Sequence, residues 1–304
     1  MSRGTFLDLE PVNLREADII MVPVPYEATT TYGGGTRFGP EAILTASQQV
    51  ELWDEEYNDN PSQRLKIATA GAISPDAGGP AAMVEKIKKR VRPWVSEGKC
   101  LVTVGGEHTI TLALVESYLT KYPDLTIVAF DAHADLRDRY ENSPHSHACV
   151  LRRVWELGRP LTILGVRSYS AEEYDFMRVA PRLTLLKARN LQDPDYQRLA
   201  LEHLGRIRGP VYITLDVDAL DPAIMPGTGT PEPGGLTYYQ VLEFLQAIVA
   251  RGPVVGFDLV ELAPLPGHRI SEFTAARLVY KFLGYLSRAK TEENEAAEKT
   301  GRER

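Results

Sequence analysis

Short apolar runs recur along this chain, each separated from the next by a stretch long enough for a helix. The runs cover residues 19–25, 66–70, 100–104, 125–130, 161–166, 183–186, 211–215 and 254–261. Several are continuous rather than alternating; Leu125-Thr126-Ile127-Val128-Ala129-Phe130 is one. That is the pattern of a strand covered on both faces. Helices are expected at 81–97, 109–121, 148–157, 171–179, 194–205, 238–250 and 271–288, and Pro40 opens another in its first turn. In the first of these, Met83, Val84, Ile87, Val91, Trp94 and Val95 keep the helical period. Strand and helix in strict succession predict a parallel sheet with helices on both faces. No internal repeat or linker interrupts the pattern, so residues 1–288 are expected to form one domain. The stretch 289–304 is almost wholly polar and charged and predicts disorder or a frayed helix.

In open parallel sheets ligands bind at the carboxyl ends of the strands, so the residues that close each run carry the functional reading. After the run ending at Phe130 come Asp131-Ala132-His133-Ala134-Asp135. On extended backbone alternate side chains share a side, which lets Asp131, His133 and Asp135 converge while the two alanines face away. Carboxylate with imidazole suits manganese, zinc or iron better than calcium. Another run closes in Gly105-Gly106-Glu107-His108, placing His108 at a strand end. A third closes in Asp216-Val217-Asp218, again alternating. Two carboxylates that close raise each other's pKa unless a cation lies between them. Four carboxylates and two imidazoles fit a two-metal site better than a single one, with −4 balanced by +4.

Other segments belong around that centre. The loop 136–147 follows the proposed ligands directly, and its His145 and His147 are candidates for proton transfer. The glycines at 33–35 suit a site rim or a subunit contact, and no Lys-Ser or Lys-Thr follows them to make a phosphate loop. The Pro- and Gly-rich stretch 226–236 belongs at the mouth, and the last run brings Asp258 and Glu261 to its end.

Composition narrows the partners. The net charge of −7 comes without a basic block in the body of the chain, which disfavours nucleic acid and suits a cationic ligand. Cys100 and Cys149 provide no disulfide framework, so a reducing compartment, the cytoplasm, is expected. The N-terminus lacks the basic and apolar regions of a signal peptide. No apolar run approaches the ~18 residues that would span a membrane.

Gly105-Gly106-Glu107-His108, Asp131-Ala132-His133-Ala134-Asp135, Asp216-Val217-Asp218-Ala219-Leu220-Asp221-Pro222 and Gly229-Thr230-Pro231-Glu232-Pro233-Gly234-Gly235-Leu236 together resemble the ureohydrolase family of arginases and agmatinases. The likeness runs in order from about Pro23 to Leu286. It implies a three-layer α/β sandwich, assembled as a homo-oligomer (trimer or hexamer), with two Mn2+ ions per chain. By the same resemblance His108, Asp131, Asp135 and Asp216 hold one ion, and Asp131, His133, Asp216 and Asp218 the other. Glu261 matches the family's guanidinium-binding glutamate and His147, ahead of His145, its proton shuttle. Asp135 also accepts a hydrogen bond from the attacking hydroxide.

The resemblance further implies a small cationic guanidino substrate, cleaved to urea and an amine. The loop after Asp135 lacks the Asn that arginases use to hold the α-carboxylate and α-amine, which puts arginine in doubt. Ser146-His147-Ala148-Cys149-Val150-Leu151 looks like the agmatinase branch. Agmatine, giving putrescine, is the first choice and aminopropylagmatine the next. A guanidino acid would need Arg137 or Arg139 for its carboxylate. A catalytically silent polyamine-binding homologue would have lost a ligand or Glu261, and a single-zinc deacylase would not need His108.

Overall fold

The computed structural model describes residues 4–302. Eight parallel strands form one sheet: β1 (Ile19–Val24), β2 (Ile67–Thr69), β3 (Cys100–Gly105), β4 (Thr126–Phe130), β5 (Leu161–Leu164), β6 (Leu183–Leu186), β7 (Val211–Asp216) and β8 (Val254–Val260). Their order is β2-β1-β3-β8-β7-β4-β5-β6, and all the pairings are parallel. The helices are α1 (Gly39–Ser47), α2 (Pro80–Ser96), α3 (Ile110–Leu119), α4 (Val150–Glu156), α5 (Ala171–Val179), α6 (Pro194–Leu204), α7 (Tyr238–Val249) and α8 (Ile270–Arg302).

Strand periodicity divides the core. In β1, Ile19 and Met21 pack into one apolar cluster while Ile20, Val22 and Val24 pack into another on the opposite face. Helices α1, α6, α7 and α8 cover the first face. Helices α2, α3 and α4 cover the second, joined by Phe176 and Met177 of α5. The result is three layers, as the strand and helix succession requires.

Helix starts follow local chemistry. Ser170 and Glu173 close a capping box on α5, and Thr237 and Gln240 close one on α7. Pro23 lies inside β1, yet β2 pairs only with Ile19–Met21, so the proline's missing N–H falls where that edge is open. The final helix does not stop near residue 288; its backbone continues to Arg302. Among the described residues no helix is long and apolar enough to cross a membrane.

Strands β3, β8, β7 and β4 are neighbours at the centre of the sheet although they are scattered along the chain. They are the strands whose ends carry His108, Glu261, Asp216 with Asp218, and Asp131 with His133 and Asp135. Strand order thus gathers every predicted ligand over one stretch of the sheet's carboxyl edge.

Candidate metal centre

His108 leaves β3 through Gly105 and Gly106 and is fully buried. Its Nδ1 lies 3.2 Å from Asp131 Oδ2, 3.3 Å from Asp135 Oδ2 and 3.5 Å from Asp216 Oδ2. On the far side of the ring, Nε2 is 2.9 Å from Thr214 Oγ1, and that hydroxyl donates to Asp258 Oδ1 at 2.6 Å. Because Thr214 directs its single proton to the carboxylate, it can only accept from His108. The ring therefore carries a hydrogen on Nε2; burial opposes a second, Asp131 and Asp135 favour one and raise the ring's pKa, and the neutral ring turns its Nδ1 lone pair toward three carboxylate oxygens. Neither Nδ1 nor Asp131 Oδ2 has a hydrogen-bond partner, although both are buried. A lone pair facing unpaired carboxylate oxygens in the protein interior calls for a cation.

Three of the four carboxylates are half committed. Asp131 Oδ1 accepts from His133 N at 2.7 Å, Asp218 Oδ1 from Ala132 N at 3.0 Å, and Asp216 Oδ1 from Asp218 N at 2.8 Å. The second oxygens are aimed inward: Asp218 Oδ2 sits 2.8 Å from His133 Nδ1. Two groups with metal-holding spacing result, His108-Asp131-Asp135 and Asp131-His133-Asp218, and Asp131 belongs to both.

Charge gives the same answer. Burial, then Asp135 and Asp218, push the Asp131 carboxyl up to about 7. Burial, then Asp218, Asp131 and Glu261, raise Asp216 well above the carboxylate range. His133 is raised to about 10: burial opposes this, and Asp218 and Asp131 override it. Beyond burial, these shifts reflect carboxylates crowded against one another and against His133.

Strand alternation, expected to converge the ligands, does so only in part. It sets a common side, but an extended chain would carry residue 135 about 13 Å beyond residue 131. The structure ends β4 at Phe130 and puts Asp135 at φ +50°, in the left-handed region, which folds its carboxylate back. Likewise β7 ends at Asp216, and Val217–Ala219 form a 3-10 turn capped by the Asp216 side chain. The turn's rise of about 2 Å per residue keeps Asp218 close to Asp216. Glu261 also sits at positive φ, +64°, directly after β8, and its Oε1 accepts from His108 N at 2.6 Å. Burial, then Glu107, raises its pKa well above the usual range.

The cluster opens into a cavity of about 240 Å³. His133, Asp135, Asp216, Asp218 and Glu261 lie on its walls, and so does His147. His145, the rival for proton transfer, is not among the lining residues. Its carbonyl takes the Thr109 hydroxyl at 3.4 Å. Tyr32 and Gly33 line the mouth, where Gly33 N bonds Gly229 O at 3.1 Å, so the glycine loop and the 226–236 loop meet at the rim.

Sequence reasoning missed four supports. Thr214 lies two residues before Asp216 on β7 and pairs in register with Asp258 of β8, so the period-2 rule applied backwards from Asp216 would have found it. Arg167 gave no local signal. Its guanidinium donates to the carbonyls of Asp218 at 2.8 Å and Glu232 at 2.6 Å, and so ties the ligand turn to the mouth loop. Glu107 and Thr29 are the other two, joined by the Thr29 hydroxyl donating to Glu107 Oε1 at 2.9 Å.

A doubly covered parallel sheet with carboxylates and imidazoles gathered at its carboxyl edge, under an open cavity, is an arrangement suited to metal-dependent hydrolysis. The chain belongs to the arginase family, whose model matches residues 17–284, and it is a ureohydrolase of that family. It is 41% identical over 288 residues to the N(1)-aminopropylagmatine ureohydrolase of Synechocystis sp., covering 92% of this chain and 93% of that protein. It is 36% identical over 296 residues to an agmatinase of Pyrococcus horikoshii, covering 94% and 98%. Among solved structures, the agmatine ureohydrolase of Thermoplasma volcanium superposes with a TM-score of 0.86 at 27% identity, covering 96% of this chain and 97% of the other. Proclavaminate amidino hydrolase from Streptomyces clavuligerus gives 0.84 at 25% identity, covering 95% and 98%.

Proposed function

We propose that this ureohydrolase binds two manganese ions and cleaves a linear guanidino amine with a cationic tail to urea and the corresponding amine. The observation that carries the reading is Asp131, shared by two His/Asp groups and left with an unpartnered buried oxygen. His108, Asp131, Asp135 and Asp216 would hold one ion, and Asp131, His133, Asp216 and Asp218 the other. When bound, such a pair supplies Lewis acidity that makes water nucleophilic at neutral pH. Glu261, buried at the cavity wall, takes the guanidinium and fixes the orientation of its carbon. Asp135 accepts a hydrogen bond from the attacking water. His147 gives a proton to the departing amine.

Relatives named for N(1)-aminopropylagmatine and for agmatine both support a cationic tail, and the 41% identity favours the longer amine over agmatine, the first choice from sequence. Arg137 lines the cavity and is the one observation on the side of a guanidino acid. Its guanidinium already lies over the Tyr140 ring at 5.0 Å and 3.8 Å from Glu173, which leaves it partly neutralised. A cytoplasmic homo-oligomer, trimeric or hexameric, completes the reading.

The test is urea release from aminopropylagmatine, agmatine, arginine and guanidinobutyrate by the manganese-loaded protein, with metal counted per chain. Release from the two amines with two ions per chain is expected, and Asp131→Asn should abolish both. One ion per chain, or preference for guanidinobutyrate, would overturn the proposal.

A further inference from the structure

Glu107 is fully buried next to His108, yet its hydrogen bonds go to residues 28 and 29 and none to the proposed metal ligands. Its Oε2 accepts from Ala28 N at 2.6 Å and Thr29 N at 2.7 Å, and its Oε1 takes the Thr29 hydroxyl at 2.9 Å. Thr29 Oγ1 has two further neighbours, both on one residue: the backbone N of His147 at 3.0 Å and its Nδ1 at 3.2 Å.

We propose that Glu107 and Thr29 are positioning residues that fix the tautomer of His147, keeping its proton on Nδ1 and leaving Nε2 free on the cavity side. The argument is a valence count. A threonine hydroxyl has one hydrogen and two lone pairs. The carboxylate has no hydrogen to give, so the hydroxyl hydrogen goes to Glu107. The backbone N–H of His147 can only donate and occupies one lone pair. The remaining lone pair faces Nδ1, which must then carry a hydrogen. The competing contact, Ser146 Oγ, is longer at 3.4 Å. Among the described residues no protein group bonds Nε2, and the Tyr140 ring stands edge-on 6.4 Å away. Nε2 can thus take up a proton and pass it to a leaving nitrogen while Nδ1–H stays in place.

Glutamine at 107 would keep the shape and invert this order. The two backbone N–H groups require the amide oxygen at the Oε2 position, so the NH2 would face Thr29 and donate to Oγ1. With both lone pairs then filled, the hydroxyl hydrogen would turn to Nδ1, and the ring would hold its proton on the cavity-facing nitrogen.

The inference rests on the proposed role of His147 as proton donor, and the experiment separates the two. Urea release from aminopropylagmatine and agmatine is measured for the manganese-loaded protein and for Glu107→Gln, Thr29→Val, Thr29→Ser, Ser146→Ala and His147→Ala, each with its melting midpoint and metal content. Glu107→Gln and Thr29→Val should lower kcat by about 100-fold or more with KM within about threefold, the scale of a lost acid–base group. Thr29→Ser, which keeps the hydroxyl, should restore kcat to within about threefold, and Ser146→Ala should stay within about twofold of the parent. If Glu107→Gln fails to fold or loads no metal, Thr29→Val decides. Loss of kcat in His147→Ala with parental kcat in Thr29→Val would overturn the inference and leave the role of His147 standing. Parental kcat in His147→Ala would overturn both. A rise in KM alone, or no rescue by serine, would show that the pair only shapes the loop.

Discussion

Alanine at position 106 should disable this enzyme without touching a ligand. A Cβ on Gly106 would lie 1.8 Å from the Tyr26 carbonyl oxygen and under 3.0 Å from two more Tyr26 backbone atoms. Gly106 is not in the left-handed region, so the objection is space rather than backbone strain. Reaching even a tolerable 3.0 Å requires the β1 and β3 exits to separate by about 1.2 Å, and neither side is a flexible side chain that can swing away. Both sides matter to the site. Gly106 N bonds Val24 O at 2.9 Å, and Gly106 O accepts from Glu261 N at 2.8 Å. Displacement therefore reaches His108 and Glu261 together. A misplacement of about 1 Å costs on the order of 100-fold in rate, and overpacking adds about 1–3 kcal/mol of destabilisation. The assay is kcat/KM for urea release, with manganese affinity and a urea-denaturation curve. Gly71→Ala is the control, since a Cβ there meets nothing within 4 Å, and it should fall within about 0.5 kcal/mol of the parent. If Gly106→Ala kept kcat/KM within about threefold, the claim that this close approach aligns the site would be refuted.

Asp258→Asn should weaken metal binding by about 10- to 100-fold in a competing-chelator titration. An amide donating to Thr214 would turn that hydroxyl toward His108 Nε2 and move the imidazole hydrogen to the metal-facing Nδ1; unchanged affinity would refute this. Lys281→Met should destabilise the fold by about 3 kcal/mol in chemical denaturation, because it strands the buried Asp54 carboxylate 2.9 Å from the lost ammonium. The low end of the range applies because Glu56 N and Tyr57 N also bond Asp54 Oδ1; a loss under about 1 kcal/mol would show the pair to be dispensable. The same lysine predicts a pH dependence. Burial opposes charging it, but Glu56 and Asp54 hold its pKa above the ordinary lysine value. A raised folded pKa means its contribution is complete below about pH 10.4 and lost as pH rises through the folded value. Stability should therefore fall more steeply above pH 10 in the parent than in Lys281→Met, and parallel curves would contradict it.

The metal ligands were legible because each type of evidence was local. Asp131, His133 and Asp135, like Asp216 and Asp218, follow runs too apolar to be anything but buried strands, and a charged residue there needs a partner. Apart from Thr214, which the strand period offers, the partners themselves were hidden. Thr214, Arg167, Thr29 and Glu107 belong to no dense cluster of ligands, and each acts across a separation in sequence of 50 residues or more, as Arg167 with Asp218 and Thr29 with His147 show. One boundary differed from its apolar pattern. Helix α8 outruns its apolar pattern because its polar continuation has nothing to stop it, neither glycine nor proline, before Gly301.

By itself the sequence determined where the strands and main helices lie, that the strands run parallel, and which six side chains are candidates to hold metal, since burial pattern and ligand type are properties of short segments. Only the tertiary structure decided that β3, β8, β7 and β4 are neighbours, that Asp135 and Asp218 are folded back by a left-handed residue and a 3-10 turn, and that Nδ1 of His108 is the nitrogen facing the carboxylates. Those outcomes depend on where distant backbone and hydroxyl groups place single hydrogens and shift atoms by a few ångströms, and no local pattern of residues encodes a distance of that kind.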